Sequence, residues 1–248
     1  MSETSDTQAG GDAIQTVSLS FFRFSPGFDR VWAFTQMGAA RWAMSRLPGL
    51  GFWKLCGSGT GEGFTPRPNW GVYAILATWP DLEAAKRQTA EAPVFRRYHD
   101  HAEEAMTVFL STTSVRGRWS GREPFQVTEA ARPGPVAALT RATIRPTRAR
   151  AFWGAGPDIS DVIGADPNVR FKIGIGEVPW LRQVTFSIWP DTSAMARFAR
   201  GDGPHGRAIR AVREGDWFSE ELYARFRVRS VRGTWEGRNP VADLEIAA

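Results

Sequence analysis

The chain has 248 residues, 42% of them hydrophobic and 23% charged, a composition that excludes extensive disorder. No apolar run approaches the roughly 18 residues that a membrane-spanning helix needs. Cys56 is the only cysteine, which excludes an internal disulfide and a multi-cysteine metal site and favours a reducing cytoplasm. The net charge is +5, but the arginines that supply most of the positive charge are scattered, so no nucleic-acid partner is expected.

The first half of the chain predicts alternating strands and helices. Residues 1–14 begin polar and glycine-rich, lack the pattern of a secretory signal and are expected to be disordered. Strands are expected at residues 15–24, 52–56, 71–79 and 107–119. Residues 29–47 predict a helix, and residues 81–106 predict further helical segments. Apolar spacing in the first helix predicts one packed face, made of Val31, Trp32, Thr35, Ala39, Trp42 and Ala43.

The second half predicts the same order after a Pro/Gly-rich linker at residues 121–134. Strands are expected at residues 135–144, 169–177, 183–189 and 224–235. Helical turns are expected at residues 147–153 and 159–163, and helices from Ser193 to about Tyr223. Both halves therefore read βαββαβ.

Short sequence echoes indicate that the two halves arose by duplication. VRGRWSGREP at residues 115–124 returns as VRGTWEGRNP at residues 231–240, and Trp-Pro-Asp occurs at both 79–81 and 189–191. A weaker echo pairs the glycines and glutamate of residues 59–62 with those of residues 174–177. The two decapeptides are predicted to end the last strand of each repeat, with Trp119 and Trp235 packing at matching sheet ends.

These observations predict an α+β fold made of tandem duplicated ferredoxin-like units. Residues 15–120 and 135–240 are the two repeats, and residues 241–248 are a C-terminal tail. Each βαββαβ unit leaves one sheet face bare, so the two sheets are expected to cover each other as a dimeric α+β barrel within one chain. We expect the centre of that barrel to suit a large apolar ligand.

Few residues are candidates for chemistry. His99 and His101 are two apart on a predicted helix, so they make a poor metal pair and are expected on a solvated face. Cys56 is expected to be a buried strand residue. His205 aligns with Val94 in the first half, when Pro204 is matched to Pro93, and this difference between the copies makes His205 a candidate metal or haem ligand, against the commoner structural role of a lone histidine. The glycine-rich residues 57–63 do not match a phosphate-binding loop.

Several stretches resemble the spheroidene monooxygenase family, also called acyclic carotenoid 2-ketolases. The resemblance covers nearly the whole chain after about residue 15, in the following segments: FWKLCGSGTGEGFTPRPNWGVY, AALTRATIR, RFKIGIGEVPW, QVTFSIWPD, AIRAVREGDWFSEELYARFRV and GTWEGRNPV. It implies an enzyme of carotenoid biosynthesis in photosynthetic bacteria that uses haem b, O2 and reduced ferredoxin. The implied reaction places a keto group at C-2 of spheroidene and related acyclic carotenoids by two successive hydroxylations.

The resemblance also implies roles for individual residues. His205 becomes the expected axial ligand of the haem iron. Arg141 becomes a candidate partner of a haem propionate, with ordinary surface exposure as its alternative. Trp70, Trp180 and Trp217 could line the carotenoid path, with core packing as the alternative for each. A substrate dissolved in lipid implies peripheral contact with the photosynthetic membrane. The rival functions are a non-enzymatic haem or carotenoid binder with the same barrel and, more distantly, a cofactor-free small-domain monooxygenase.

Overall fold

A computed structural model describes residues 14–61, 65–154, 167–178, 180–200, 216–244 and 246. The eight strands are β1 (Thr16–Arg23), β2 (Trp53–Gly59), β3 (Pro68–Trp79), β4 (Glu104–Gly117), β5 (Val136–Ile144), β6 (Phe171–Val178), β7 (Arg182–Trp189) and β8 (Phe218–Gly233). The helices are α1 (Phe28–Met44), α2 (Leu82–Glu91), α3 (Pro93–His101) and α4 (Thr192–Arg200). A 3-10 turn at Pro146–Arg148 runs into a short helical segment at residues 149–154.

The strands form one closed antiparallel barrel in the order β1-β3-β2-β6-β7-β5-β8-β4. Each half supplies four adjacent strands. The halves are joined by a long β4–β8 ladder and by a short β2–β6 contact at Gly57–Gly176 and Ser58–Ile175. The predicted α+β barrel of two βαββαβ units is confirmed.

The barrel interior is filled by side chains from both halves. Inward-facing residues alternate along each strand, among them Leu19, Leu76, Val108, Leu139 and Phe186, all at most 1% exposed. An eight-stranded barrel is just wide enough for such packing. The expectation that a large apolar ligand occupies the barrel centre is therefore wrong.

Helices α1, α2 and α3 cover the outer face of the first-half sheet. That face presents bulky apolar residues, namely Phe22, Leu55, Tyr73, Ile75 and Phe109. Helix α1 packs on it through Ala33, Ala40 and Met44, whereas Val31 and Trp42 are exposed. The predicted packed face of this helix is only partly right: Trp32 and Ala43 pack against the core, but Val31, Thr35, Ala39 and Trp42 are exposed.

The outer face of the second-half sheet carries small residues on β5, β6 and β7, while β8 adds the large side chains Tyr223, Arg225 and Arg227. The outward positions include Ala138 and Thr140 on β5, Gly174 on β6, and Thr185 and Ser187 on β7. Helix α4 packs against one end of this face, at Val136 and Trp189, through Ala194 and Met195. The predicted helix from Ser193 to Tyr223 runs too far, since β8 already begins at Phe218 and alternates between inward and outward residues from there.

The two Trp-Pro-Asp motifs play the same structural role in each half. The carboxylates of Asp81 and Asp191 accept hydrogen bonds from the backbone N–H groups of Ala84 and Ala194, each at 2.7 Å. Each aspartate thereby satisfies an otherwise unpaired donor in the first turn of a helix. The weaker glycine echo does not mark equivalent positions, because Gly174–Glu177 lies within β6 whereas β2 already ends at Gly59.

Each repeated decapeptide is hydrogen-bonded to a strand of the opposite half of the barrel. Trp119 and Arg122 form an isolated antiparallel β-bridge, and so do Trp235 and Arg238. The carboxylate of Glu220 on β8 accepts hydrogen bonds from the backbone of residues 120 and 121, and Glu104 on β4 does the same for residues 236 and 237. The prediction that the two tryptophans lie at matching sheet ends is confirmed.

The backbone geometry requires a glycine two residues before each of these tryptophans. Gly117 has φ +95°, and a Cβ there would lie 2.2 Å from the carbonyl oxygen of Glu221. We expect Gly117→Ala to lower the free energy of unfolding by about 3–4 kcal/mol, because left-handed strain and backbone overlap add. Gly121→Ala is the matched control, since its φ is +72° but nothing lies near its Cβ, and it should cost about 1–2 kcal/mol. Equal losses in denaturant titrations would contradict this account.

Candidate functional site

A buried cluster of charged residues lies at one end of the barrel. Arg141, 1% exposed, bonds to the carboxylate of Glu220 through Nη1, and its Nη2 lies 3.8 Å from Glu177. Lys54 also pairs with Glu177 at 2.7 Å, and the indole N–H of Trp119 donates to the same carboxylate at 2.6 Å. The cluster draws these side chains from β2, β5, β6, β8 and the first decapeptide, so it connects both halves.

Glu220 is held as a carboxylate by this arrangement. Its burial would raise the pKa, but hydrogen bonds from Gly121 and Ser120 and the charge of Arg141 outweigh it, so the pKa of Glu220 lies below its usual value. A lowered carboxyl pKa stabilises the fold above the ordinary pKa, and this contribution is lost as the pH falls through the lowered value.

Cys56 lies beside the charged cluster and is chemically quiet. Burial, reinforced by Glu177, raises the pKa of its thiol well above the ordinary value. The thiol is completely buried within the barrel, as predicted for a structural strand cysteine. A neutral, packed thiol is poorly suited to act as a nucleophile or a thiolate ligand.

An aromatic groove of about 250 Å³ lies outside the β2–β6 contact. Its walls include Phe34 and Met37 of α1, Trp70 and Tyr73 of β3, and Trp180 before β7. The rings of Phe34 and Trp70 meet edge to face at 5.1 Å. The structure thus brings together two of the three tryptophans predicted to line a carotenoid path.

Hydrogen bonds fix the far wall of the aromatic groove. The indole N–H of Trp180 donates to the carbonyl of Pro66 at 2.6 Å, and that of Trp153 donates to the carbonyl of Trp180 at 3.0 Å. Trp180 adopts φ +67°, a backbone conformation rare outside glycine, so this wall is held against local strain. Trp217 instead lies near Phe152, at 6.2 Å between rings, and does not line the groove.

A second cavity, of about 530 Å³, adjoins the aromatic groove. The two cavities share Ser58, Gly59 and Asn69 at the end of β2 and the start of β3. The second cavity has basic walls, including Arg23, Arg170, Lys172 and Arg238, with Trp235 beside them. Both cavities lie along the short β2–β6 contact between the two halves. The aromatic groove is mainly apolar, and the second cavity next to it is mainly polar.

The described histidines have separate structural partners. His99 lies 3.2 Å from the carbonyl of Thr89 and beside Phe22, and burial lowers the pKa of its imidazole below the ordinary value. His101 bonds to Asp29 at 2.7 Å and stacks on Trp32. The expectation that both histidines lie on a solvated face is wrong, because each is half-buried and packs on an aromatic ring.

His205 and the predicted helix at residues 159–163 lie outside the described residues. Val94, its expected counterpart, is a buried residue of α3 that packs in the core. Among the residues that the structure does describe, no group of three or more His, Cys, Asp or Glu side chains could hold a metal ion.

Sequence reasoning missed two features of this region. The partners of Arg141 come from residues far apart in the chain, and no local motif announces them. Phe34 was also missed as a groove residue, because α1 was expected to turn its opposite face inward. The sequence did contain one signal for this role, because Phe34 is an aromatic residue on the polar side of an amphipathic helix.

No helix in the described part of the chain is long and apolar enough to cross a membrane.

Comparison with known proteins identifies close relatives. The chain is 53% identical over 232 residues to spheroidene monooxygenase of Cereibacter sphaeroides, covering 93% of this chain and 72% of that protein. It is 52% identical over 228 residues to spheroidene monooxygenase of Rhodobacter capsulatus, covering 91% and 95%. No family model matches the chain.

Solved structures with the same fold are much more distant in sequence. A crystal structure of aldoxime dehydratase aligns with a TM-score of 0.57 at 11% identity, covering 89% of this chain and 82% of that one. At this identity the likeness extends to the fold alone.

Proposed function

We propose, because the chain belongs to the spheroidene monooxygenase family, that it introduces a 2-keto group into spheroidene and related acyclic carotenoids. The observation that carries the proposal is 53% identity along nearly the whole chain. The aromatic groove supports it, because a long unsaturated hydrocarbon needs an apolar, aromatic-lined cleft.

The reaction consists of two hydroxylations at C-2, a carbon beside the polyene whose C–H bonds are weakened by their allylic position. Each round takes one O2, two electrons from reduced ferredoxin and two protons, puts one oxygen atom into the C–H bond and releases the other as water. The second round gives a geminal diol, which loses water to leave the ketone.

We propose haem b as the prosthetic group, bound against the outer face of the second-half sheet. Bound haem would supply oxygen activation. When the two Trp-Pro-Asp motifs are aligned, the smaller residues Gly174, Thr185 and Ala142 stand on this face where the first half has Leu55, Ile75 and Phe22. His205, in the segment after α4, is the proposed iron ligand.

The proposed contact of Arg141 with a haem propionate is still a prediction. Arg141 faces the barrel interior, where Glu177 and Glu220 already accept from its guanidinium. A propionate could reach it only at the end of the barrel, in competition with these carboxylates. Loss of haem affinity in an Arg141 variant that still folds would support the contact.

The chain's own residues would orient the carotenoid and exclude water. The aromatic groove would hold the polyene between Trp70 and Trp180, outside the packed barrel interior. The electron donor is proposed to be reduced ferredoxin. The proposed localisation is cytoplasmic, at the surface of the photosynthetic membrane in which the substrate is dissolved.

Absorption spectroscopy tests the cofactor. Protein purified with haem supplied is expected to show a Soret band at a haem-to-chain ratio near one. A chain that folds but has no Soret band would refute haem dependence, and the family's chemistry would then need another oxygen-activating group.

Loss of a groove tryptophan should weaken substrate binding. We expect Trp70→Ala to raise the KM for detergent-dispersed spheroidene about tenfold, because burying one large apolar side chain is worth roughly 1.5–3 kcal/mol. Trp42→Ala is the matched control, since this tryptophan is exposed on α1 outside the groove. Equal KM values for the two variants would contradict the assignment of the groove.

A further inference from the structure

Helix α1 exposes an apolar face that nothing in the described structure covers. Phe28 is 74% exposed, Val31 62%, Phe34 53% and Trp42 68%. These residues lie on the side of the helix opposite Ala33, Ala40 and Met44, which pack on the sheet. Isolated exposed apolar residues are ordinary, but four on one helix face form a patch. We call this patch the α1 face.

The α1 face continues into the rim of the aromatic groove. Phe34 belongs to both, and its ring meets that of Trp70, which is itself 51% exposed. Trp180, 53% exposed, stands on the opposite wall. Six of the nine exposed large apolar side chains among the described residues therefore lie on the α1 face or at the mouth of the groove.

The charges around the α1 face are positive. Arg41 is exposed in the last turn of α1, and the guanidinium of Arg46 lies 3.7 Å above the ring of Trp42. Asp29, the single carboxylate within α1, is bound to His101. An apolar, aromatic face bordered by arginines matches an anionic lipid surface, where aromatic rings enter the interface and basic groups meet headgroups.

We propose that the α1 face docks on the surface of an anionic lipid bilayer and holds the mouth of the aromatic groove against it. The proposal rests on the proposed function, because a carotenoid dissolved in lipid could then enter the groove between Phe34, Trp70 and Trp180 without crossing water. The docked helix lies in the interface, so no membrane span is required.

Vesicle flotation with the full haem-loaded chain tests this docking. Vesicles of phosphatidylcholine with phosphatidylglycerol should retain the protein, and phosphatidylcholine alone should retain less. The double variant Phe28→Ser/Trp42→Ser should bind the anionic vesicles at least about tenfold more weakly, since the loss of a single large apolar contact is already worth about a tenfold factor. Val127→Ser is the matched control, because Val127 is 58% exposed but lies in the linker between the repeats, and it should bind like the native chain.

Activity separates docking from chemistry. The double variant should keep native turnover on detergent-dispersed spheroidene and lose it on spheroidene embedded in vesicles. Binding of the double variant equal to that of the native chain would overturn the proposal. A native dimer that the double variant converts to monomers, with unchanged vesicle binding, would assign the α1 face to a second copy instead. Native vesicle binding without any turnover would refute the proposed function but leave the docking intact.

Discussion

His205→Ala is expected to remove the Soret band of the haem-loaded protein and to lower turnover by more than about 100-fold. Loss of a group that merely supports a metal ligand already costs about 10–100-fold, and loss of the axial ligand itself should cost more. Folding should survive, because the eight strands of the barrel are formed by other residues. The measurements are the absorption spectrum and circular dichroism of the purified variant.

His99→Ala and His101→Ala are the matched controls for the haem ligand. Their imidazoles bond to Thr89 and Asp29 and pack on aromatic rings, so their loss should reduce stability while the Soret band remains. A Soret band that survives in His205→Ala and disappears in one of these controls would move the ligand assignment to that histidine.

Arg141→Met is expected to have the largest effect on stability, a loss of about 3–5 kcal/mol in the free energy of unfolding. Methionine fills much of the same space but leaves the carboxylate of Glu220 without its side-chain cation and takes one of the cations from Glu177. The loss is costly because Glu177, with 8% of its side chain exposed, stays buried with one cation fewer.

Arg145→Met is the control for that experiment. Arg145 is also an arginine near the end of β5, but its pair with Asp216 is exposed, and such pairs contribute about 1 kcal/mol or less. Urea titrations of the haem-free variants give both values. Comparable losses would show that the buried cluster is not a structural link between the halves.

The duplication could be predicted from sequence because its marks are local. Asp81 and Asp191 follow Pro at the start of a helix, and each caps that helix as its motif predicts. Gly117 and Gly233 recur because the chain needs a left-handed residue where the last strand of each repeat turns beside a neighbouring carbonyl. Alternation along residues 135–144 likewise located β5 within one residue.

The site depended on contacts between distant segments and could not be predicted in the same way. Apolar spacing identified α1 as a helix but placed only Trp32 and Ala43 of its six predicted face residues against the core, because small residues such as Ala33 and Ala40 pack closely on a sheet that is already bulky. Arg141 was expected near a cofactor, and nothing in its neighbouring sequence indicated Glu177 or Glu220. The sequence predicted Trp70 and Trp180 separately as residues of a carotenoid path. Only the closure of the barrel at β2–β6 brings them into one groove.

Product formation tests the central claim most directly. Haem-loaded protein is incubated with reduced ferredoxin and spheroidene, with and without O2. The carotenoids are then separated by chromatography and identified by mass spectrometry. The proposed function predicts a 2-hydroxy intermediate followed by the 2-keto product, both formed only when O2 and reduced ferredoxin are present. Spheroidene recovered unchanged from a chain that binds both haem and the carotenoid would contradict it and identify the protein as a carrier.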